Sequence, residues 1–219
     1  LLGVAGLSGA RALALSPDGE HVYVAGGFSN AVAVFRRQTN PALPAFGTLQ
    51  YQPLALVQAG IGGVNGIESP LALTLSADGK HLYVLGGAGD TVVAFSRQTN
   101  PGSNNFGHLT QIGRYQNASG GVLGMDEVRS LALSAEGAHL YVLGAEAGAL
   151  VHFSRNAGNG ELTFVPHATG QAVYFAPELV GATRLRSGGG RLYAASAAQA
   201  VIAVFGIDPD GKPTLEHLV

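Results

Sequence analysis

A fifteen-residue phrase, Leu13-Ala-Leu-Ser-Pro-Asp-Gly-Glu-His-Val-Tyr-Val-Ala-Gly-Gly27, occurs four times along this chain in successively altered form. Leu73–Gly87 and Leu131–Ala145 are close copies, and Thr183–Ala197 is a worn one. The copies start 60, 58 and 52 residues apart, so insertions fall between the phrases and not within them. A period of this length marks a stack of like units, each too thin to bury its own apolar surface and covered by its neighbours.

Each unit reads as four short strands. The first, Arg11–Ser16 in the leading copy, closes on Ser-Pro-Asp-Gly, a turn in which Pro17 sets φ and Gly19 takes φ > 0. The second, Val22–Ala25, ends on a glycine pair. The third, Ala31–Arg37, is β-branched and aromatic, and the fourth follows Gly47 through Leu49 towards Val57. Tyr23 to Phe35, Tyr83 to Phe95, Tyr141 to Phe153 and Tyr193 to Phe205 are all 12 residues apart. That constancy predicts a fixed hairpin. Gly and Pro recur too often for a helix, and no 3.6-residue stripe persists. The expectation is an all-β propeller of four four-stranded antiparallel blades, over repeats of about 1–60, 61–118, 119–170 and 171–219.

Length and composition narrow the function classes. A chain of 219 residues, 47% apolar, holds a sizeable core. A net charge of −2 gives no electrostatic footprint for nucleic acid, and no apolar run is long enough to span a membrane. Cysteine is absent, which removes disulfides and thiolate metal sites. The start at Leu1, without methionine or a leader-like stretch, reads as a processed or excised part of a longer polypeptide.

Leu13-Ala-Leu-Ser-Pro-Asp-Gly19, with His21-Val-Tyr-Val24 and then Ala31-Val-Ala-Val-Phe35, resembles the bacterial propeller repeats of the lactonase-like and YVTN superfamily. The resemblance is clear in three repeats and weaker over Thr183–Val219. It implies a propeller, usually of six to eight blades, in a protein outside the cytoplasm. Members include sugar-lactone hydrolases, muconate-cyclising enzymes and proteins without an assigned role. Four blades leave three ways to finish the ring: sequence outside this chain, a second copy forming a homodimer, or closure at four.

In a propeller the first strands line a central channel, and the loops entering them rim one mouth, together with those joining strands two and three. The entry loops bring Glu68, Asp126, Glu127 and Glu178 to that mouth, and the first strands bring Arg11 and Arg129. Counting back from the tyrosines puts Leu71 and Gly181 at the same position in the other copies. Asn30, Asp90, Glu146 and Gln199 follow from the second loops. Carboxylates beside arginines suit a polar ligand, or an enolate in lactone chemistry. They equally suit ion pairs that keep a channel solvated. The resembling enzymes pair arginine with acids and histidine in the channel, and no histidine lies near these first strands.

His21, His81 and His139 recur at one repeat position. Zinc needs ligands converging at about 2.0–2.1 Å, which separate blades do not supply, so these histidines read as polar caps on strand two. The Ser-x-Asp-Gly turns lack the alternating oxygens of a calcium loop, and no Gly-x-Ser-x-Gly elbow is present. No metal or cofactor is expected. The leading expectation is a non-enzymatic binding or scaffold module for a protein or small polar ligand. The alternatives are a lactonase-like hydrolase or cyclase, and a fragment with a structural role only.

Overall fold

The computed structural model describes residues 3–146, 148–167 and 173–219. It contains four antiparallel sheets, each built from one repeat with its strands in chain order from the axis outward. Blade one holds β1 (Ala10–Leu15), β2 (His21–Gly26) and β3 (Ala31–Arg37). Its fourth strand comes in two pieces, β4 (Leu49–Tyr51) and β5 (Val57–Gln58), both paired with β3. Between them Pro53 opens a short 3-10 turn, because proline cannot donate to the ladder. The expected single strand towards Val57 is therefore split. Blade two holds β6 (Pro70–Leu75), β7 (His81–Gly86), β8 (Thr91–Arg97) and an unbroken β9 (Leu109–Gln116). Blade three holds β10 (Val128–Leu133), β11 (His139–Gly144), β12 (Ala149–Arg155) and again a split outer strand, β13 (Leu162–Phe164) and β14 (Tyr174–Phe175). Blade four holds β15 (Ala182–Gly188), β16 (Arg191–Ser196), β17 (Val201–Ile207) and β18 (Pro213–Leu218).

Three apolar cores lie between blades, not within them. Tyr23, Val32 and Val34 of blade one meet Leu82, Val84 and Phe95 of blade two. Tyr83 and Val92 meet Leu140, Val151 and Phe153, and Tyr141 and Leu150 meet Leu192 and Phe205. Every residue of β7 is buried, because blade two is covered on both faces. In β16 buried and exposed residues alternate along most of the strand, because within this chain only one face of blade four has a neighbour.

A polar tie crosses each junction beside its core. Tyr23 donates its hydroxyl to the Gly107 carbonyl of the next blade at 2.8 Å. Arg97 reaches back from the end of β8, donating to the Tyr23 hydroxyl (2.8 Å), Asp18 (2.7 Å) and His21 Nδ1 (3.0 Å). Arg155 repeats this with Tyr83 (2.9 Å), Asp78 (3.1 Å) and His81 Nδ1 (2.7 Å). A histidine nitrogen that accepts from arginine is unprotonated, so the ring is neutral with its proton on Nε2. Burial, with Arg97 adding to it, depresses the His21 pKa to about 4. Burial alone would raise the Asp78 carboxyl, but bonds from Ser76, the Lys80 N–H and Arg155 hold it at about 2. His21 and His81 are thus buried ties between blades rather than caps on a strand.

The third junction lacks the arginine. Ile207 holds its position, Tyr141 still donates to Gly211, and His152 Nε2 lies 2.9 Å from His139 Nδ1 in the space the guanidinium would fill. In the first three blades the entry loop crosses the end of its own second strand where two glycines meet. A side chain on Gly26, Gly86 or Gly144 would run into the carbonyl of Gly6, Gly66 or Gly124.

Candidate arginine-lined site

Each inner strand opens with the same backbone device. Its first residue follows a left-handed one: Gly9 (φ 66°), Ser69 (φ 50°), Glu127 (φ 52°) and Gly181 (φ 70°). Its second residue is bulged out of the ladder, between Ala10 and Ala12, Pro70 and Ala72, Val128 and Ser130, or Ala182 and Arg184. A bulge re-aims a side chain, and here it turns Arg11, Leu71, Arg129 and Thr183 into the mouth. Thr183, and not Gly181, is the counterpart of Arg11. The hairpin after β15 is two residues shorter than its counterparts, so counting back from Tyr193 overshoots.

These residues line a cavity of about 540 Å³, together with Glu127, Ala145, Gly181 and Arg184. Directly beneath it, a cleft between the inner strands is lined by Arg11, Arg129, Arg184 and Arg186. Four arginines therefore face one carboxylate in a chain whose net charge is −2. Arg129 Nη2 pairs with Glu127 Oε2 at 3.0 Å, with both side chains about half exposed. Arg184 and Arg186 donate to the backbone carbonyls of Thr183 and Leu185 at 2.9 Å, and the Arg11 guanidinium lies 5.9 Å from the Phe28 ring centre. Among the described residues none of these three has a carboxylate partner. Concave walls of low dielectric strengthen such a field, so this end of the channel attracts anions. The channel's lower part is lined by Leu13, Leu73, Leu75, Leu131 and Leu133 among others.

Of the residues expected at the mouth, Arg11, Glu127 and Arg129 come together. Glu68, Asp126 and Glu178 do not line this cavity. Asp126 instead accepts from the Asn117 side chain at 2.8 Å, pinning its loop, and Glu178 sits in the 3-10 turn Pro177–Leu179. Asn30 and Asp90 tie blades together, accepting from the Ser69 and Val128 N–H groups of the next inner strand at 2.8 and 3.1 Å. Arg184 and Arg186 were missed because the worn repeat hid its register. Their alternation in Thr183-Arg-Leu-Arg-Ser187 was the available signal. Among the described residues no group of three His, Asp or Glu side chains is placed to hold a metal, and no helix is long and apolar enough to cross a membrane.

The fold has known counterparts. The family model "Lactonase, 7-bladed beta-propeller" matches residues 2–177. A candidate 6-phosphogluconolactonase from Bacteroides uniformis superposes with a TM-score of 0.72 at 22% identity, over 96% of this chain and 54% of its own. A second, from Bacteroides fragilis, gives 0.75 at 20% identity with the same coverage. The periplasmic gluconolactonase PpgL of Pseudomonas aeruginosa gives 0.67 at 25% identity, over 96% of this chain and 53% of that one. The chain thus spans about half the length of these structures. No curated protein sequence matches it significantly.

Proposed function

The chain belongs to the lactonase family of seven-bladed β-propellers, and from that premise we propose that its inner-strand face binds an anionic sugar acid or sugar lactone between Arg11, Arg129 and Arg184. The observation that carries this reading is the excess of arginine in the concavity, four guanidiniums against the single carboxylate of Glu127. Guanidinium presents paired donors that match carboxylate and phosphate oxygens. Thr183 offers a hydroxyl to the sugar, and Leu71 an apolar wall. The sugar-lactone relatives support the substrate class. An extracytoplasmic location belongs to the same proposal, supported by the periplasmic gluconolactonase among them.

Titration calorimetry with 6-phosphogluconate and with gluconate tests the binding. A charge-assisted bond contributes about 1.5–3 kcal/mol, so Arg129→Ala weakens binding roughly ten- to a hundred-fold. The loss falls towards the upper end because the variant also frees the Glu127 carboxylate to repel the ligand. No binding at millimolar ligand, or binding indifferent to both Arg129→Ala and Arg184→Ala, removes the proposal.

Lactone opening is the second reading, favoured by Glu127. This side chain is kept in the left-handed region at a position where two of the other three copies use glycine, and such strain collects at functional sites. In this reading Glu127 accepts a proton from water as the oxygen attacks the lactone carbonyl. The arginines stabilise the resulting oxyanion, the ring C–O bond breaks, and the departing alkoxide takes the proton to give the open hydroxy acid. Glu127→Gln then abolishes hydrolysis of glucono-δ-lactone above the spontaneous rate while binding of gluconate persists. Binding without turnover in the unaltered chain leaves the module non-enzymatic.

A further inference from the structure

One aromatic side chain stands beside the arginine-lined cavity without a part in any core. Phe28, at the tip of the loop joining β2 and β3, is 74% exposed. The same loop position carries Ala88, Glu146 and Ala198 in the other blades, and all four are exposed. Ala88 belongs to a blade covered on both faces, so exposure here is a property of the channel rim and not of the first blade's open side.

The ring is held in place as well as exposed. Phe28 and Ser29 donate their N–H groups to the Ser8 carbonyl at 3.0 and 3.2 Å, and Gly27 donates to the Gly9 carbonyl at 2.9 Å. The Ser8 N–H donates to the Ser29 hydroxyl at 3.0 Å. A Cβ on Gly9 would lie 2.7 Å from the Phe28 ring, so the ring rests on bare backbone just before β1. A Cβ on Gly27 would lie 2.6 Å from Arg11 Nε, so the Arg11 side chain runs across that glycine. Its guanidinium ends 5.9 Å from the ring centre, and Arg11 lines the cavity. An apolar face and a guanidinium are thus fixed side by side. A solitary exposed aromatic on a slack loop would need no explanation; this one is neither solitary nor slack.

Resting on the sugar-acid reading above, we infer that Phe28 selects the cyclic form of the ligand, stacking on the C–H face of its ring while the acid group meets Arg11. A pyranose or lactone ring turns several C–H bonds to one side, and these carry a slight positive charge. The face of a phenyl ring carries the negative part of its quadrupole, so the two attract as water leaves both. An open-chain acid of the same charge has no such flat face, and it loses conformational freedom in imitating one. The arginines read charge and Phe28 reads shape. For a lactone, ring opening removes the stacked face, so the contact that holds the substrate is also the one that lets the product go.

The test compares ligands of equal charge and unequal shape. Titration calorimetry with glucuronate, which is cyclic, and gluconate, which is not, is expected to show tighter binding of glucuronate by the unaltered chain. An aromatic stacking contact contributes about two- to ten-fold in affinity. Phe28→Ala is expected to weaken glucuronate by that factor, while gluconate and inorganic phosphate change by under about two-fold. Phe28→Tyr, which keeps the ring face, is expected to retain the preference, and circular dichroism checks that both variants are folded. Equal weakening of all three ligands by Phe28→Ala overturns the inference, because Phe28 then only props Arg11. An unchanged glucuronate affinity in Phe28→Ala overturns it too, as does equal affinity for the two sugar acids in the unaltered chain. In each of these cases the sugar-acid reading stands so long as Arg129→Ala still weakens binding. Failure of all three anions to bind the unaltered chain removes that reading, and this inference with it.

Discussion

At the scale of single residues, the arginine ties are where most is staked on few atoms. Arg97 has a buried side chain that donates to a carboxylate, a phenol, an imidazole and the Gly79 carbonyl. Arg97→Ala leaves those acceptors facing a void and is expected to destabilise the protein by about 2–4 kcal/mol. Arg37→Ala, which gives up one carbonyl of its own blade, is expected to cost this chain under about 1 kcal/mol. Urea denaturation of the two variants makes the comparison, and equal losses would show that the tie does not lock the junction. The histidines make the same contacts sensitive to acid. His21 and His152 titrate at about 4 in the native chain against an ordinary 6.5, burial being the main cause in both. As pH falls below 6.5 the unfolded chain takes up protons that the native one refuses, so stability is whole above that value and declines from there down to about 4. Asp78 adds a further loss between 3.8 and about 2. The urea midpoint is expected to drop between neutral pH and pH near 4.5, and His152→Phe to flatten the drop.

At the scale of elements, the four blades are unequally held. Blade two is covered on both faces and tied on both edges, whereas blade four packs on one neighbour within this chain, at a junction without an arginine. Hydrogen exchange is therefore expected to be faster in the amides of β16 and β17 than in those of β7 and β8, since local opening follows the number of contacts to be broken. Uniform protection would refute that ranking. This is also the scale at which the sequence was most informative. Strands two and three of every repeat were legible because the Tyr-to-Phe spacing holds their hairpin constant. The outer strands were less so. Pro53 splits one of them, and nothing in the apolar pattern around it distinguishes a split strand from a whole one. The arginine ties left a signal that went unread, since Arg37, Arg97 and Arg155 each stand 14 residues after a repeat tyrosine while Ile207 breaks the series. The mouth was half legible: Arg11 and Arg129 stood out as odd charges in apolar strands, but a shortened hairpin displaced the fourth copy and concealed Arg184.

At the scale of the whole molecule, the charges are segregated. The net charge is −2, yet Arg11, Arg129 and Arg184 collect where the inner strands begin, with Arg186 further along β15. Association of a sugar acid is therefore expected to slow steeply as salt is raised from about 10 mM to about 150 mM, over which the screening length shrinks from about 30 Å to 8 Å. Stopped-flow rates that ignore salt would mean that the guanidiniums do not steer the ligand.

Tyr23, Tyr83 and Tyr141 each reach forward to the next unit, and Arg97 and Arg155 each reach back to the one before. A duplicated stretch of gene therefore brings its own seam with it, because each new copy already matches the copies on either side. Copy number in such a lineage can rise or fall without the invention of any new interface. Divergence has gone furthest in the fourth repeat, where Ile207 and Arg191 stand in place of the arginine and the histidine.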